Sequence, residues 1–143
     1  MPINTLGRIL AIDYGRKRTG LAVTDPLRIA ANPLLTVSTA ELVKWLEDYL
    51  RKEKVDEVVI GLPTQLNGED SESMLYIRPF MNLFRKRWPD IPLISYDERF
   101  TSTLAHRAMI DGGMRRKQRQ DKAVVDKLAA CIILEGYLER CNM

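Results

Sequence analysis

Two short apolar runs, residues 7–14 and 18–24, are separated only by the polar stretch YGRKR. Runs of this length suit strands rather than helices, and a short glycine-bearing link between two strands makes a hairpin. Gly15 is expected to supply a positive φ in that turn. A third run, IAANPLLTVS, follows Asp25-Pro26 and contains Pro33, which fits an edge strand or a bulge. The chain therefore opens as a three-stranded antiparallel meander. Within it one residue is out of character: Asp13 closes the apolar segment ILAID, and a carboxylate at the end of a buried strand is costly unless something compensates it.

The pattern then changes period. Ser38 begins STAEL, with Glu41 three residues on, a capping-box signature. Leu42, Val43, Leu46, Tyr49 and Leu50 follow at helical spacing. EVVIGLP reads as a strand closed by Gly61 and Pro63, and MLYIRPFMNLFRKRW as a helix in which Pro79 demands a kink or a late start. IPLISYDE is the next strand, TSTLAHRAMIDGG a short helix capped by Thr101, and DKAVVDKLAACIILEGYLE a long amphipathic helix. Strands separated by helices imply parallel, right-handed crossovers after the meander. The expected fold class is α/β, a single domain over residues 1–143 with a mixed sheet.

Composition excludes several classes. With 45% hydrophobic and 29% charged residues the chain is an ordinary globular sequence, and its apolar stretches fall short of a membrane span. MPINTLGR lacks the features of a signal peptide, so a cytoplasmic location is expected. Cys131 and Cys141 are separated by about 15 Å of helix rise and cannot bridge one another. With His106 as the sole histidine they do not make a zinc site either.

Three acids stand at places where chemistry gathers. Asp13 ends the first strand and Glu98, in SYDERF, ends the last. The carboxyl ends of parallel strands are the usual location of sites in open α/β sheets. Asp126 is followed at i+3, i+4 and i+7 by Ala129, Ala130 and Ile133, so it starts the stripe that packs on the sheet, and the alanines permit close approach. Asp97 and Asp121 rank lower: strand alternation puts Asp97 on the face opposite Glu98, and Asp121 resembles a helix cap. Three carboxylates at one point repel one another unless a cation intervenes. Oxygen donors without histidine or thiolate suit Mg²⁺ or Mn²⁺, which can activate water at a phosphodiester.

Cations flank these acids in sequence. Arg16, Lys17 and Arg18 follow Asp13, and Arg115, Arg116, Lys117, Arg119 and Lys122 precede Asp126. Net charge is only +3, so the clustering rather than the total points to phosphate backbones. Neither cluster interleaves aromatics for base-specific stacking, Tyr14 at the edge excepted.

GRILAIDYGRKRTGLAVTD, VVIGLPTQLNG, SYDERFTS and VVDKLAACIILEGYL resemble, in order and spacing, the YqgF/RuvX family, described as Holliday-junction resolvases and as nucleases maturing the 5′ end of pre-16S rRNA. The resemblance spans about residues 7–138. It implies an RNase H-like fold, with a five-stranded mixed sheet flanked by helices, and a metal-dependent nuclease using the positions matched here by Asp13, Glu98 and Asp126. The expected substrate is structured RNA, from a ribosomal precursor or a pre-ribosomal particle, with branched DNA as the alternative. A resolvase acts as a symmetric dimer with paired sites, and no dimerisation surface is visible in the sequence, so a monomer or weak homodimer is expected. Two readings compete with the nuclease. DYGRKRTG also looks like the first phosphate-binding hairpin of actin/Hsp70-like ATPases, but the chain is too short for two such domains. A non-catalytic RNA-binding module with a degenerate site would keep binding and lack cleavage.

Overall fold

The structure, a computed structural model, describes residues 7–62, 74–97 and 122–141. Strands β1 (Arg8–Asp13), β2 (Arg18–Thr24) and β3 (Ala31–Ser38) form the antiparallel meander. A 3₁₀ turn (Thr39–Glu41) leads into α1 (Leu42–Lys52), then β4 (Val55–Leu62), α2 (Met74–Arg87), β5 (Leu93–Asp97) and α3 (Lys122–Cys141). β4 is parallel to β1, and β5 to β4, which gives a five-stranded mixed sheet in the order β3-β2-β1-β4-β5. The short helix expected over residues 101–113 lies outside the described residues.

Alternation along the strands divides the core into two layers. Leu10, Ile12, Leu21, Val23, Val58 and Ile60 pack against α1 and α2. Ile9, Ala11, Ala22 and Val59 pack against Ala130, Ile133, Leu134 and Tyr137 of α3. β1 is covered on both faces, which is why its sequence is a continuous apolar run and not an alternating one. The side of the sheet beneath α3 carries small residues, matching the small residues of the helix, so helix and sheet come close.

Pro33 lies on an edge strand, as expected. Leu21 pairs with Leu35 and Ala22 with Pro33, so Leu34 is an inserted bulge residue where the ladder is already interrupted. Of the two outcomes expected at Pro79, a kink or a late start, the late start does not occur, because α2 runs from Met74 through it. An interior proline costs about 3 kcal/mol, whereas five buried anchors, Met74, Ile77, Phe80, Met81 and Phe84, contribute roughly 1.5–3 kcal/mol each. The carbonyl that Pro79 leaves without a helical donor belongs to Leu75, which is 76% exposed and open to water.

The capping box is not formed: neither Ser38 nor Glu41 makes a side-chain cap hydrogen bond. The first-turn donor is satisfied from the hairpin instead. The Thr39 amide donates to the Lys17 carbonyl at 2.9 Å, and the Thr39 hydroxyl donates to the Gly15 carbonyl at 2.6 Å. That hydroxyl has committed its one proton, so in the 2.9 Å Thr19–Thr39 contact Thr19 is the donor. Thr39 thus clamps the β1–β2 turn. Gly15 is required there for a reason other than the expected positive φ: a Cβ would stand 2.1 Å from the Arg18 carbonyl oxygen. Thr39→Val should lower stability by about 2 kcal/mol by stranding two partly buried partners. Urea unfolding checks this, and a change under about 0.5 kcal/mol would show the clamp to be idle.

Candidate active site

Asp13 is the last residue of β1 and lies directly opposite Gly20 of β2. By alternation with Ile9 and Ala11 it belongs to the face covered by α3. The helix meets that face at one place with unusual closeness. A Cβ on Gly20 would lie 2.0 Å from the backbone carbonyl oxygen of Asp126. Gly20 therefore joins the two acids: it is the cross-strand partner of one and touches the main chain of the other. The expectation that Asp126 sits at the sheet-facing stripe holds, with its side chain 24% exposed.

Two residues before Gly20 and on the same strand face, Arg18 donates from Nε to Asp126 Oδ2 at 3.0 Å. The two residues are 108 positions apart in sequence. The Arg18 side chain is 41% exposed, so the ion pair stands at the rim of the site with much of the guanidinium in water.

The other cations of the turn diverge from it. Arg16 is exposed and stacks its guanidinium over the ring of Tyr76 in α2, 5.5 Å from the centroid. Tyr14 stacks on Phe80 of the same helix at 4.8 Å. Both contacts lie on the face opposite α3, so the turn straddles the sheet edge, with Arg18 beside the acids and Arg16 across from them. Lys17 is exposed between them.

β5 ends at Asp97 on the same sheet edge as Asp13, since both strands run parallel to β4. Glu98 lies outside the described residues, as do Asp121, Arg115, Arg116, Lys117 and Arg119; Lys122 opens α3. Among the described residues no group of three His, Cys, Asp or Glu gathers at metal-binding distance. The two acids that are described supply only hard oxygen donors, which fit Mg²⁺ or Mn²⁺. Cys131 is inert by comparison: it is buried, and burial followed by the neighbouring Glu135 pushes its thiol up to about 11. No described helix is long and apolar enough to cross a membrane.

Gly20, Thr19 and Thr39 do not stand out in the sequence as site residues. A glycine inside a strand is a known mark of close backbone approach, and in RTGLAVT it is the signal that singles out Gly20.

The profile of the RuvX family, described as Holliday junction resolvase, matches residues 7–140. The chain belongs to the RuvX family. Relatives include a protein of Phocaeicola vulgatus named "Putative pre-16S rRNA nuclease", 55% identical over 134 residues that cover 94% of this chain and 96% of the relative. Proteins of the same name from Bacteroides fragilis and Christiangramia forsetii are 53% and 50% identical, covering 94% and 93% of this chain and 97% and 98% of their own. Among solved structures, T. thermophilus RuvC in complex with a Holliday junction substrate is similar with a TM-score of 0.57 and 15% identity, over 96% of this chain and 97% of that one. That likeness shows the fold, which is RNase H-like, as the resemblance implied. Membership places the chain among nucleases, hydrolases of phosphodiester bonds.

Proposed function

We propose that this chain is a divalent-metal-dependent nuclease that matures the 5′ end of pre-16S rRNA in the cytoplasm, with Asp13, Glu98 and Asp126 as the catalytic carboxylates. The observation that carries the site is the Asp13–Gly20–Asp126 junction, which gathers two acids from distant parts of the chain onto one face at one sheet edge. The names of its relatives support the ribosomal precursor as substrate. The family's description supports branched DNA as the second reading.

In the mechanism the carboxylates of Asp13 and Asp126, with Glu98, would hold Mg²⁺ or Mn²⁺. When bound, such an ion supplies Lewis-acid stabilisation of the phosphoryl oxygens and a more acidic water. The chain's own cations orient the substrate. Arg18 stands at the rim beside Asp126 and Arg16 and Lys17 continue along the turn; Arg115, Arg116, Lys117, Arg119 and Lys122, clustered in sequence ahead of Asp126, are the further cations assigned to the phosphate backbone. The exposure of the turn cations leaves them accessible to a strand crossing the sheet edge.

The test offers a pre-16S leader RNA and a four-way DNA junction side by side, with Mg²⁺ or Mn²⁺. Cleavage of the RNA alone supports this reading. Symmetric cleavage of the junction moves the chain to the resolvases, and cleavage of neither favours a binding module. Replacing Arg115, Arg116 and Lys117 together by Gln should weaken binding. It should also flatten the slope of log affinity against log salt by about one for each phosphate no longer neutralised. An unaltered slope would remove that cluster from the interface.

A further inference from the structure

We infer that Arg18 is the resident counter-cation of Asp126, and that it is exchanged when the nucleic-acid strand arrives: the guanidinium passes from the carboxylate to a phosphate and frees Asp126 for the divalent ion. The inference rests on Asp126 belonging to the catalytic set and goes further by making ion loading depend on substrate.

Four observations carry it. Arg18 holds Asp126 through Nε on one carboxylate oxygen, Oδ2, at 3.0 Å, and no second bond of the guanidinium to Asp126 accompanies it. An Arg–carboxylate pair built for permanence is commonly bidentate, so this one is of the weaker sort. The pair is accessible, with side chains 41% and 24% exposed, and exposed pairs are worth little and exchange readily. Arg18 stands on the strand face that also carries Gly20, so the cation meets Asp126 next to the strand position paired with Asp13. Finally, the neighbouring cation Arg16 is engaged elsewhere, over Tyr76 on the opposite face of the sheet. The turn therefore assigns one of its cations to the acid and holds another away.

The electrostatics set the direction. A guanidinium on a carboxylate oxygen both occupies a lone pair that an ion would use and repels a second cation. Phosphate competes for the same guanidinium, which matches its oxygens as well as it matches a carboxylate. Binding of the strand and loading of the ion should then be mutually favourable, since each removes an obstacle to the other. Arg18 is a positioning residue in this scheme; the carboxylates remain the catalytic groups.

The test measures Mn²⁺ binding to the full chain without nucleic acid, by titration calorimetry or from the electron paramagnetic resonance signal of free Mn²⁺. Arg18→Gln should bind Mn²⁺ about three- to tenfold more tightly than wild type. It should also lose most of the gain in Mn²⁺ affinity that a non-cleavable oligonucleotide gives the wild type, and its KM for substrate should rise. Arg16→Gln removes the same charge from the same turn and should leave Mn²⁺ affinity within about twofold, which marks the pair rather than net charge as the cause. An Arg18→Gln protein with unchanged or weaker Mn²⁺ binding, or an Arg16→Gln protein tightened equally, overturns the inference. Failure of the underlying site has a different signature: Asp126→Asn would then bind Mn²⁺ as wild type does.

Discussion

Asp13→Asn protein should fold as wild type does and cleave its substrate about a thousandfold more slowly, a loss typical of removing one member of a catalytic set. The substitution is nearly isosteric and deletes one charge at the end of β1. The strand's packing comes from Ile9, Leu10, Ala11 and Ile12, all of which are buried and untouched. Far-UV circular dichroism and the thermal midpoint should therefore change little, while an amide is a far poorer ligand for a hard cation than a carboxylate. Nucleic-acid binding should survive, because the phosphate contacts come from the cations. Wild-type cleavage rates in this variant would sink the proposed site, whatever the substrate.

The second large effect is on stability. Gly20→Ala introduces a methyl group whose nearest neighbours are main-chain atoms of α3: the Asp126 carbonyl oxygen at 2.0 Å, its carbon at 2.3 Å and the Lys127 nitrogen at 2.9 Å. None of these is the tip of a flexible side chain, so the helix as a whole has to move. Ala130, Ile133 and Leu134, each at most 1% exposed, would be lifted from Ala11, Ala22 and Val59. Overpacking of this kind costs roughly 1–3 kcal/mol even where side chains can yield, and a backbone obstacle belongs at or above the top of that range. We expect a loss of about 3 kcal/mol in urea unfolding, together with reduced cleavage, since Asp126 moves with the helix. A midpoint unchanged from wild type would mean that α3 does not approach the sheet at Gly20.

Much of this architecture is legible from period and length. The apolar runs around YGRKR suit only strands, and the alternation of strand and helix after residue 38 requires parallel pairing, as β1, β4 and β5 show. Asp13 stands out because it interrupts an apolar run, and Asp126 because it begins one. What local pattern does not carry depends on contacts between distant segments. STAEL has a capping pattern, yet the hairpin carbonyls of Gly15 and Lys17 compete for Thr39, and they belong to another part of the chain. Pro79 argues locally for a late helix start, but the aromatic residues after it bury enough surface for the helix to begin before it. Arg28 adopts a φ of 59° although it is not glycine. The Asp25 carboxylate accepts the amides of Leu27, Ile29 and Ala30, which folds the loop into that shape and holds the carboxyl below its usual range. Sequence spacing does not disclose such an arrangement between a loop and one side chain. The third acid, Glu98, remains an expectation of the motif SYDERF.

The docking of α3 at Gly20 also bears on how activity would fail. α3 follows every strand in the chain and touches the sheet through a single layer, whereas β1, β2 and β4 are held by α1 and α2 from the other side. A fluctuation that lifts α3 alone would leave most of the sheet standing while carrying Asp126 away from Asp13. Such sub-global openings are less costly than complete unfolding. Heat or mild denaturant should therefore silence the nuclease before the sheet melts, and a partly folded copy would be a harmless one rather than an unregulated cutter of RNA.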